Sequence, residues 1–276
     1  MKYQSHSRDL KILPHFLMRL QGTKLKALTS FIPTGVRTTA AVLGWLWIFP
    51  ATIPALGESA YTEVFIQNHR CLVVGPANLP SQTPMILMLH GFGTNGFEQL
   101  FLLDRLHLPP CLVVCPDGPL PVAHSSAGAH AWYDRFTHSR KDMEKSRDYL
   151  FEVLDHFSKD RSGEAVSGET FKPRPVIIMG FSQGACMALE TGLNYKGNIE
   201  GIISMSGFIE YPEKTLARPR ASRRTPILRV RGILDPVVQE DDTQETMKSL
   251  RGAGYQPELR ESMMGHKINY FTITEV

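Results

Sequence analysis

Gly180-Phe181-Ser182-Gln183-Gly184 lies where an apolar run, Pro175–Met179, meets a helix-like segment that begins at Ala185. A Gly-x-Ser-x-Gly pentapeptide at a strand-to-helix junction is typical of a nucleophile elbow. Its glycines permit the strand and the helix to approach closely around a strained turn, which exposes the serine hydroxyl. The helix that follows directs its N-terminal N–H groups toward developing negative charge. The stretch therefore predicts an α/β fold with Ser182 as a nucleophile.

The rest of the chain alternates apolar runs with segments of helical periodicity. This pattern predicts an α/β domain with a mostly parallel sheet and helices on both faces. We predict strands at Tyr61–Ile66, Arg70–Val74, Met85–Leu89, Cys111–Cys115, Val176–Met179, Gly201–Met205, Ile227–Val230 and Glu258–Ser262. We predict helices at Phe97–Leu106, Arg140–Phe157, Cys186–Leu193 and Thr243–Arg251. The proline- and arginine-containing stretch 212–226 is expected to be an exposed excursion.

The net charge of +3 comes from the N-terminus of this 276-residue chain. Residues 1–57 contain seven Lys or Arg and a single acidic residue, Asp9, so residues 58–276 carry a small net negative charge. The body has no basic stripe, and we expect no nucleic-acid partner. Residues 58–276 have the size of one domain, and residues 1–57 are assigned to a separate basic and apolar leader.

The leader ends in an apolar run, Ala40–Phe49, followed by two prolines. A membrane-spanning helix needs about 20 apolar residues, and this run is shorter. Small residues at Ala55 and Gly57 suit signal cleavage after Gly57. Three interpretations remain open: an export signal, an uncleaved anchor, and an upstream start or other tail. We expect export or membrane association through residues 38–57, and a cytoplasmic protein under the third interpretation.

The four cysteines do not form a disulfide framework. Cys111 and Cys115 lie on one predicted strand, about 13 Å apart at the usual rise per residue. A disulfide requires Cα atoms within about 7 Å. Cys186, on the helix after Ser182, is expected to be a small buried hydrophobic residue. We therefore expect free structural thiols.

A serine hydroxyl needs a base to remove its proton and a third group to orient that base. In enzymes with a nucleophile elbow the partners follow in the order serine, acid, histidine. Asp235 lies in a loop just past the strand Ile227–Val230, and His266 lies just past the strand Glu258–Ser262. Both occur in the required order, each after a strand end. We predict Asp235 as the orienting acid and His266 as the base.

A glycine-rich loop after the strand Met85–Leu89 supplies the remaining part of the site. The loop His90–Gly96 contains glycines that let backbone N–H groups face a substrate. We predict the backbone N–H groups of Phe92 and Gln183 as the oxyanion donors. We interpret His90 as a structural residue that fixes the loop, because His266 already provides the base.

The chain carries, in order, Leu89-His90-Gly91-Phe92-Gly93, Pro116-Asp117-Gly118-Pro119, Ala131-Trp132-Tyr133-Asp134, the Ser182 pentapeptide, Ser204-Met205-Ser206-Gly207, Gly232–Val238 and Gly265-His266. Together these motifs, over residues 62–268, resemble the phospholipase/carboxylesterase family, which includes acyl-protein thioesterases and small bacterial carboxylesterases. The resemblance implies an α/β-hydrolase fold, the triad Ser182, Asp235 and His266, and no metal or organic cofactor.

Trp132 is predicted to contact the acyl group of a substrate, because its segment lies near the acyl pocket in proteins of this family. Aromatic packing under a loop is the alternative role. The chain departs from the family at Arg231, where a histidine is usual. It also departs after His266, where a β-rich run over residues 269–274 replaces a full helix, and it carries the leader.

These residues predict a serine carboxylesterase or thioesterase that acts through an acyl-enzyme on a small acyl ester or thioester. Whether that substrate is a lipid is left open by the sequence. A lysophospholipase-type hydrolase of lipid esters is the second interpretation, favoured by membrane attachment. A catalytically degenerate binding protein is the third, suggested by the short segment after His266.

Overall fold

The computed structural model describes residues 61–75, 80, 83–103, 105–106, 108–123, 128–158 and 173–268. The predicted leader and the β-rich run after residue 268 lie outside these ranges, and so does the predicted cleavage site. Within the described ranges, no helix combines the length and hydropathy that crossing a bilayer requires.

The described residues form ten strands and five helices. The strands are β1 (Tyr61–Ile66), β2 (His69–Val74), β3 (Met85–Leu89), β4 (Leu112–Pro116), β5 (Leu120–Pro121), β6 (His130–Ala131), β7 (Val176–Phe181), β8 (Ile199–Met205), β9 (Ile227–Gly232) and β10 (Glu258–Ser262). The helices are α1 (Gly96–Leu103), α2 (Arg140–Ser158), α3 (Gln183–Asn194), α4 (Pro212–Thr215) and α5 (Glu240–Gly252).

Eight of these strands form one sheet in the order β1-β2-β4-β3-β7-β8-β9-β10. The β1–β2 and β2–β4 pairs are antiparallel, whereas the pairs from β4 through β10 are parallel. The strands β5 and β6 form a separate two-stranded ladder. The predicted mostly parallel sheet with crossover helices is therefore confirmed.

The central strands of the sheet are buried on both faces, which explains the continuous apolar runs in their sequence. All five residues of β3 are buried. Met85, Leu87 and Leu89 join one hydrophobic cluster with residues of α2 and α3. Because side chains alternate across a strand, Ile86 and Met88 face the opposite side, where they are also buried.

Most predicted elements differ from the observed ones by a few residues at their ends. The predicted helix Phe97–Leu106 ends three residues too late, because Arg105 and Leu106 donate to carbonyls only three residues back. The helix α3 begins at Gln183 rather than Cys186, because the turn at Ser182 leads directly into it. The stretch 212–226 is mostly exposed, as expected, but it also contains α4.

The parallel strands place the predicted site residues at one edge of the sheet. His90 directly follows β3, Ser182 directly follows β7, and Asp235 and His266 follow β9 and β10. The carboxyl ends of parallel strands meet at the same edge. Residues separated by up to 176 positions in sequence therefore converge.

Candidate active site

Ser182 is held in a strained turn between β7 and α3. Its backbone has φ 54° and ψ −122°, a region that residues other than glycine rarely adopt. The Ser182 N–H donates to the Met205 carbonyl of the neighbouring strand at 2.9 Å. A Cβ on Gly180 would clash with the backbone of Gly184. A Cβ on Gly184 would clash with the carbonyls of Leu89 and His90 at the end of β3. Glycine is therefore required at both positions by close approach.

The structure brings Ser182, His266 and Asp235 into one chain of hydrogen bonds. His266 Nε2 lies 2.8 Å from Ser182 Oγ. His266 Nδ1 lies 2.8 Å from Asp235 Oδ2 and 3.1 Å from Oδ1. The loop of residues 263–266 carries the imidazole from the end of β10 to the end of β7, although β8 and β9 lie between these strands in the sheet. A base that contacts the hydroxyl and is oriented by a carboxylate is the arrangement that activates a serine.

The Asp235 carboxylate is enclosed, since its side chain has no exposed surface. Burial alone would raise the pKa of this carboxyl. The amide of Val238, the imidazole of His266 and the amide of Val237 oppose that effect, and the net pKa lies below the ordinary value. The two amides donate to Oδ1 at 3.0 and 2.8 Å. Asp235 is therefore held as a carboxylate beneath the imidazole.

Phe92 and Gln183, the predicted oxyanion donors, both line the same cavity as Ser182. Gln183 is the first residue of α3, and no side chain caps that helix end. Among the hydrogen bonds of the described residues, neither the Phe92 nor the Gln183 amide N–H has an acceptor. Their placement and free donors suit the predicted role.

His90 fixes the glycine-rich loop, as the sequence indicates. The side chain is fully buried, and burial lowers its pKa to about 4, so the ring is neutral near pH 7. Nε2 accepts from the Gly118 amide at 2.9 Å, which leaves the proton on Nδ1. Nδ1 then donates to the Gly91 carbonyl at 2.7 Å. Both ring nitrogens are occupied within the protein scaffold.

Trp132 does not line the cavity, and its predicted contact with substrate is corrected. The residue is wholly buried. Its indole Nε1 donates to the His90 carbonyl at 2.8 Å, and its amide donates to Gln183 Oε1 at 2.8 Å. The alternative role, aromatic packing under a loop, describes what the structure shows. The next residue, Tyr133, lines the cavity instead.

The cavity has a volume of about 450 Å³. Its apolar wall consists of Phe92, Phe181, Phe208, Val237 and Val238, with Cys186. Its polar wall consists of Thr94, Glu98, Tyr133, Arg135, His138, Ser206 and Glu210, beside Ser182, Gln183 and His266. A cavity that combines apolar side chains with polar groups is typical of sites that bind small organic molecules.

Three residues of the polar wall form a hydrogen-bonded group that the sequence did not predict. The Tyr133 hydroxyl donates to Glu210 Oε1 at 2.7 Å, and His138 Nδ1 lies 2.9 Å from Glu210 Oε2. The Ala131–Asp134 motif signals Tyr133. Glu210 and His138 lie in irregular segments that no sequence pattern marks. They meet only because the segments after β6 and after β8 converge.

The four cysteines are buried and free, as predicted. Burial raises the pKa of Cys186 to about 12, so this cavity residue is a neutral thiol. Among the described residues, no group of three or more His, Cys, Asp or Glu side chains could hold a metal ion. Arg231, where the family usually has histidine, is buried and pairs with Glu261 at 2.8 Å.

Comparison with known sequences gives a consistent result. Residues 69–276 match the family model described as Phospholipase/Carboxylesterase. An acyl-protein thioesterase 1 of Candida albicans is 28% identical over 200 residues, which cover 66% of this chain and 83% of that protein. The acyl-protein thioesterase 1 of Saccharomyces cerevisiae is 32% identical over 162 residues, covering 55% of this chain and 70% of that protein.

Solved structures share the fold. A structure of esterase PE8 superposes with a TM-score of 0.60 at 26% identity, over 73% of this chain and 92% of that chain. A structure of Zea mays acyl-protein thioesterase 2 superposes with a TM-score of 0.56 at 24% identity, over 75% of this chain and 95% of that chain.

Proposed function

This chain belongs to the phospholipase/carboxylesterase family, and from that membership we propose that Ser182, His266 and Asp235 form the catalytic triad of a serine hydrolase. The chain hydrolyses ester or thioester bonds, in keeping with its acyl-protein thioesterase relatives. The observation that carries the triad assignment is the 2.8 Å separation of His266 Nε2 and Ser182 Oγ. It lies inside a cavity with one apolar wall that suits an acyl group.

Acylation begins when Ser182 Oγ attacks the carbonyl carbon of the substrate. His266 Nε2 accepts the hydroxyl proton, and the carboxylate of Asp235 stabilises the resulting imidazolium. The amides of Phe92 and Gln183 donate to the tetrahedral oxyanion, with support from the positive end of the α3 dipole. One such donor typically lowers the activation free energy by about 3 kcal/mol. The imidazolium then protonates the leaving alcohol or thiol.

Deacylation repeats these steps with water as the nucleophile. His266 takes a proton from water, the hydroxide attacks the acyl carbonyl, and Ser182 leaves as the alcohol after the imidazolium returns the proton. No step requires a metal or an organic cofactor. Oxyesters and thioesters use the same groups, since only the leaving atom differs.

The triad assignment is tested by two measurements on the Ser182→Ala variant. Hydrolysis of a p-nitrophenyl butyrate should fall by about 10⁴-fold or more, because the nucleophile is lost. Labelling by a fluorophosphonate probe, which reacts with an activated serine, should disappear.

The matched control is Ser222→Ala, since Ser222 is exposed and lies before β9, at the opposite end of that strand from the site. This control should retain hydrolysis and labelling. Undiminished turnover or labelling in a folded Ser182→Ala protein would contradict the assignment.

A further inference from the structure

Arg135 lies in the wall of the catalytic cavity, on the segment between β6 and α2. Its guanidinium carbon is 5.0 Å from the ring centre of Phe92 and 5.2 Å from that of Phe136. Phe92 is the residue whose amide is the proposed oxyanion donor. The cation is therefore held against two rings, next to the place where the ester carbonyl would bind.

Arg135 has no carboxylate partner among the described residues. Its neighbour Asp134 accepts instead from the amides of Phe136 and Thr137, at 3.0 and 2.7 Å, and from the Thr137 hydroxyl. These bonds fix the turn and keep the Asp134 carboxylate away from the guanidinium. Glu210, a second carboxylate of the cavity, is occupied by Tyr133 and His138.

Glu98 is the remaining acid of the cavity wall, and it does not form an ion pair with Arg135 within the described part of the chain. Its position in the first turn of α1 has its own explanation, because the positive end of a helix dipole stabilises a carboxylate there. The guanidinium thus keeps its hydrogen-bond donors free at the cavity wall.

We propose that Arg135 is a specificity-determining residue that binds an anionic group, a carboxylate or a phosphate, carried by the ester substrate. The proposal rests on the proposed function, since it requires ester cleavage at Ser182. A guanidinium presents a planar fork that matches both anions in two parallel hydrogen bonds. The two rings reduce the side-chain entropy lost on binding. Because Arg135 is exposed, solvent screens the interaction, and the expected effect is a few-fold.

The test compares matched substrates that differ only in the anion. On the acyl side, mono-p-nitrophenyl adipate is compared with p-nitrophenyl hexanoate. On the alcohol side, a lysophosphatidate is compared with the monoacylglycerol of the same acyl chain. In at least one pair, Arg135→Gln should lower the anionic-to-neutral ratio of kcat/KM by about fivefold. The pair that responds identifies the side of the ester that carries the anion.

Companion variants sharpen the measurement. Arg135→Lys should retain part of the ratio, since it keeps the charge and loses the fork. Glu98→Gln should raise the ratio, because it removes a repulsive carboxylate from the cavity. Arg224→Gln is the matched control, an exposed arginine before β9, at the far end of that strand from the site, and it should leave the ratio unchanged. The ratio should also fall toward that of Arg135→Gln at about 1 M salt, where the Debye length is about 3 Å.

The results separate this proposal from the one beneath it. An unchanged ratio in both pairs, or an equal loss on anionic and neutral substrates, would overturn the role of Arg135. If the wild-type protein fails to hydrolyse even the neutral esters, the proposed function fails instead.

Discussion

Ser182 and His266 of the proposed triad line the same cavity as the 133–138 segment, yet the triad and this segment hold their charged groups differently. Asp235 has no exposed side-chain surface, and the His266 side chain is 19% exposed. Each forms a hydrogen bond within the site, Asp235 with His266 and His266 also with Ser182. Arg135 is exposed and stacked on rings, and the His138 side chain is 50% exposed. The triad geometry is thus fixed before substrate arrives, whereas the 133–138 segment offers groups that solvent or a substrate can contact.

This difference has a physical basis in where the two regions attach. The triad residues follow the parallel strands β7, β9 and β10 of one sheet, so their spacing is set by strand pairing. The 133–138 segment follows the two-stranded β5–β6 ladder and contains turns. We expect substitutions in the first region to change the rate of chemistry by orders of magnitude. Those in the second should change substrate choice by small factors.

Asp235→Asn is expected to have a larger effect than either acid pH or Tyr133→Phe. An asparagine keeps the shape but presents an amide to His266, which favours the wrong tautomer of the ring. The turnover number for p-nitrophenyl butyrate should fall by about 10⁴-fold.

Asp148→Asn provides the control, since this acid is exposed on α2 and pairs with Arg147 at the surface. It should leave turnover within about twofold. A loss of less than tenfold in Asp235→Asn would mean that His266 is oriented without the carboxylate.

Lowering the pH should remove the contribution of the Asp235 carboxylate to the stability of the fold. The folded-state pKa of Asp235 lies below its ordinary value, so the unfolded chain binds the proton more readily. The carboxylate therefore stabilises the fold above the unfolded pKa of about 4, and this contribution is lost as pH falls through the folded pKa. Below about pH 4, the free energy of unfolding measured in urea should fall more steeply for the wild type than for Asp235→Asn. Parallel pH dependences in the two proteins would contradict this account.

Tyr133→Phe should have the smallest effect of the three. The variant removes the hydrogen bond to Glu210 and leaves His138 as the acid's partner. The free energy of unfolding measured in urea should fall by about 1 kcal/mol. Turnover should change by less than about fivefold, because the triad does not contact this hydroxyl.

Tyr61→Phe removes a hydroxyl from an exposed residue of β1 and serves as the reference. A loss of turnover in Tyr133→Phe as large as that of Asp235→Asn would abolish the distinction between the two regions.

The sequence predicted the catalytic region better than the 133–138 segment. Ser182 follows β7 and Asp235 follows β9, and these strands are visible in sequence because a buried parallel strand is mainly apolar. His266 follows β10, which is largely polar and partly exposed. His90 was interpreted as structural because His266 already supplied the base, and the hydrogen bonds of the His90 ring to Gly91 and Gly118 agree with that interpretation. Trp132 was wrongly placed against the substrate, because a motif fixes which residues are near a site but not which way each side chain points.

Other contacts had no sequence signal at all. Gln183 was predicted for its amide, but its side chain also bonds to the Trp132 amide and the Tyr133 carbonyl. Glu210 meets Tyr133 across 77 positions and His138 across 72. Such pairs involve irregular segments whose meeting depends on the whole sheet being formed. No local periodicity records them.

The Ser182 pentapeptide, with its strand before and helix after, determined the fold class and predicted the nucleophile without any coordinates. The order of the partners along the chain predicted Asp235 and His266 as acid and base. These features are local, since they depend on steric limits at glycine and on strand burial. The tertiary structure alone decided that Asp235 is enclosed and that Trp132 is buried. It also left Arg135 without a carboxylate partner among the described residues, because these outcomes depend on distances between segments that are remote in sequence.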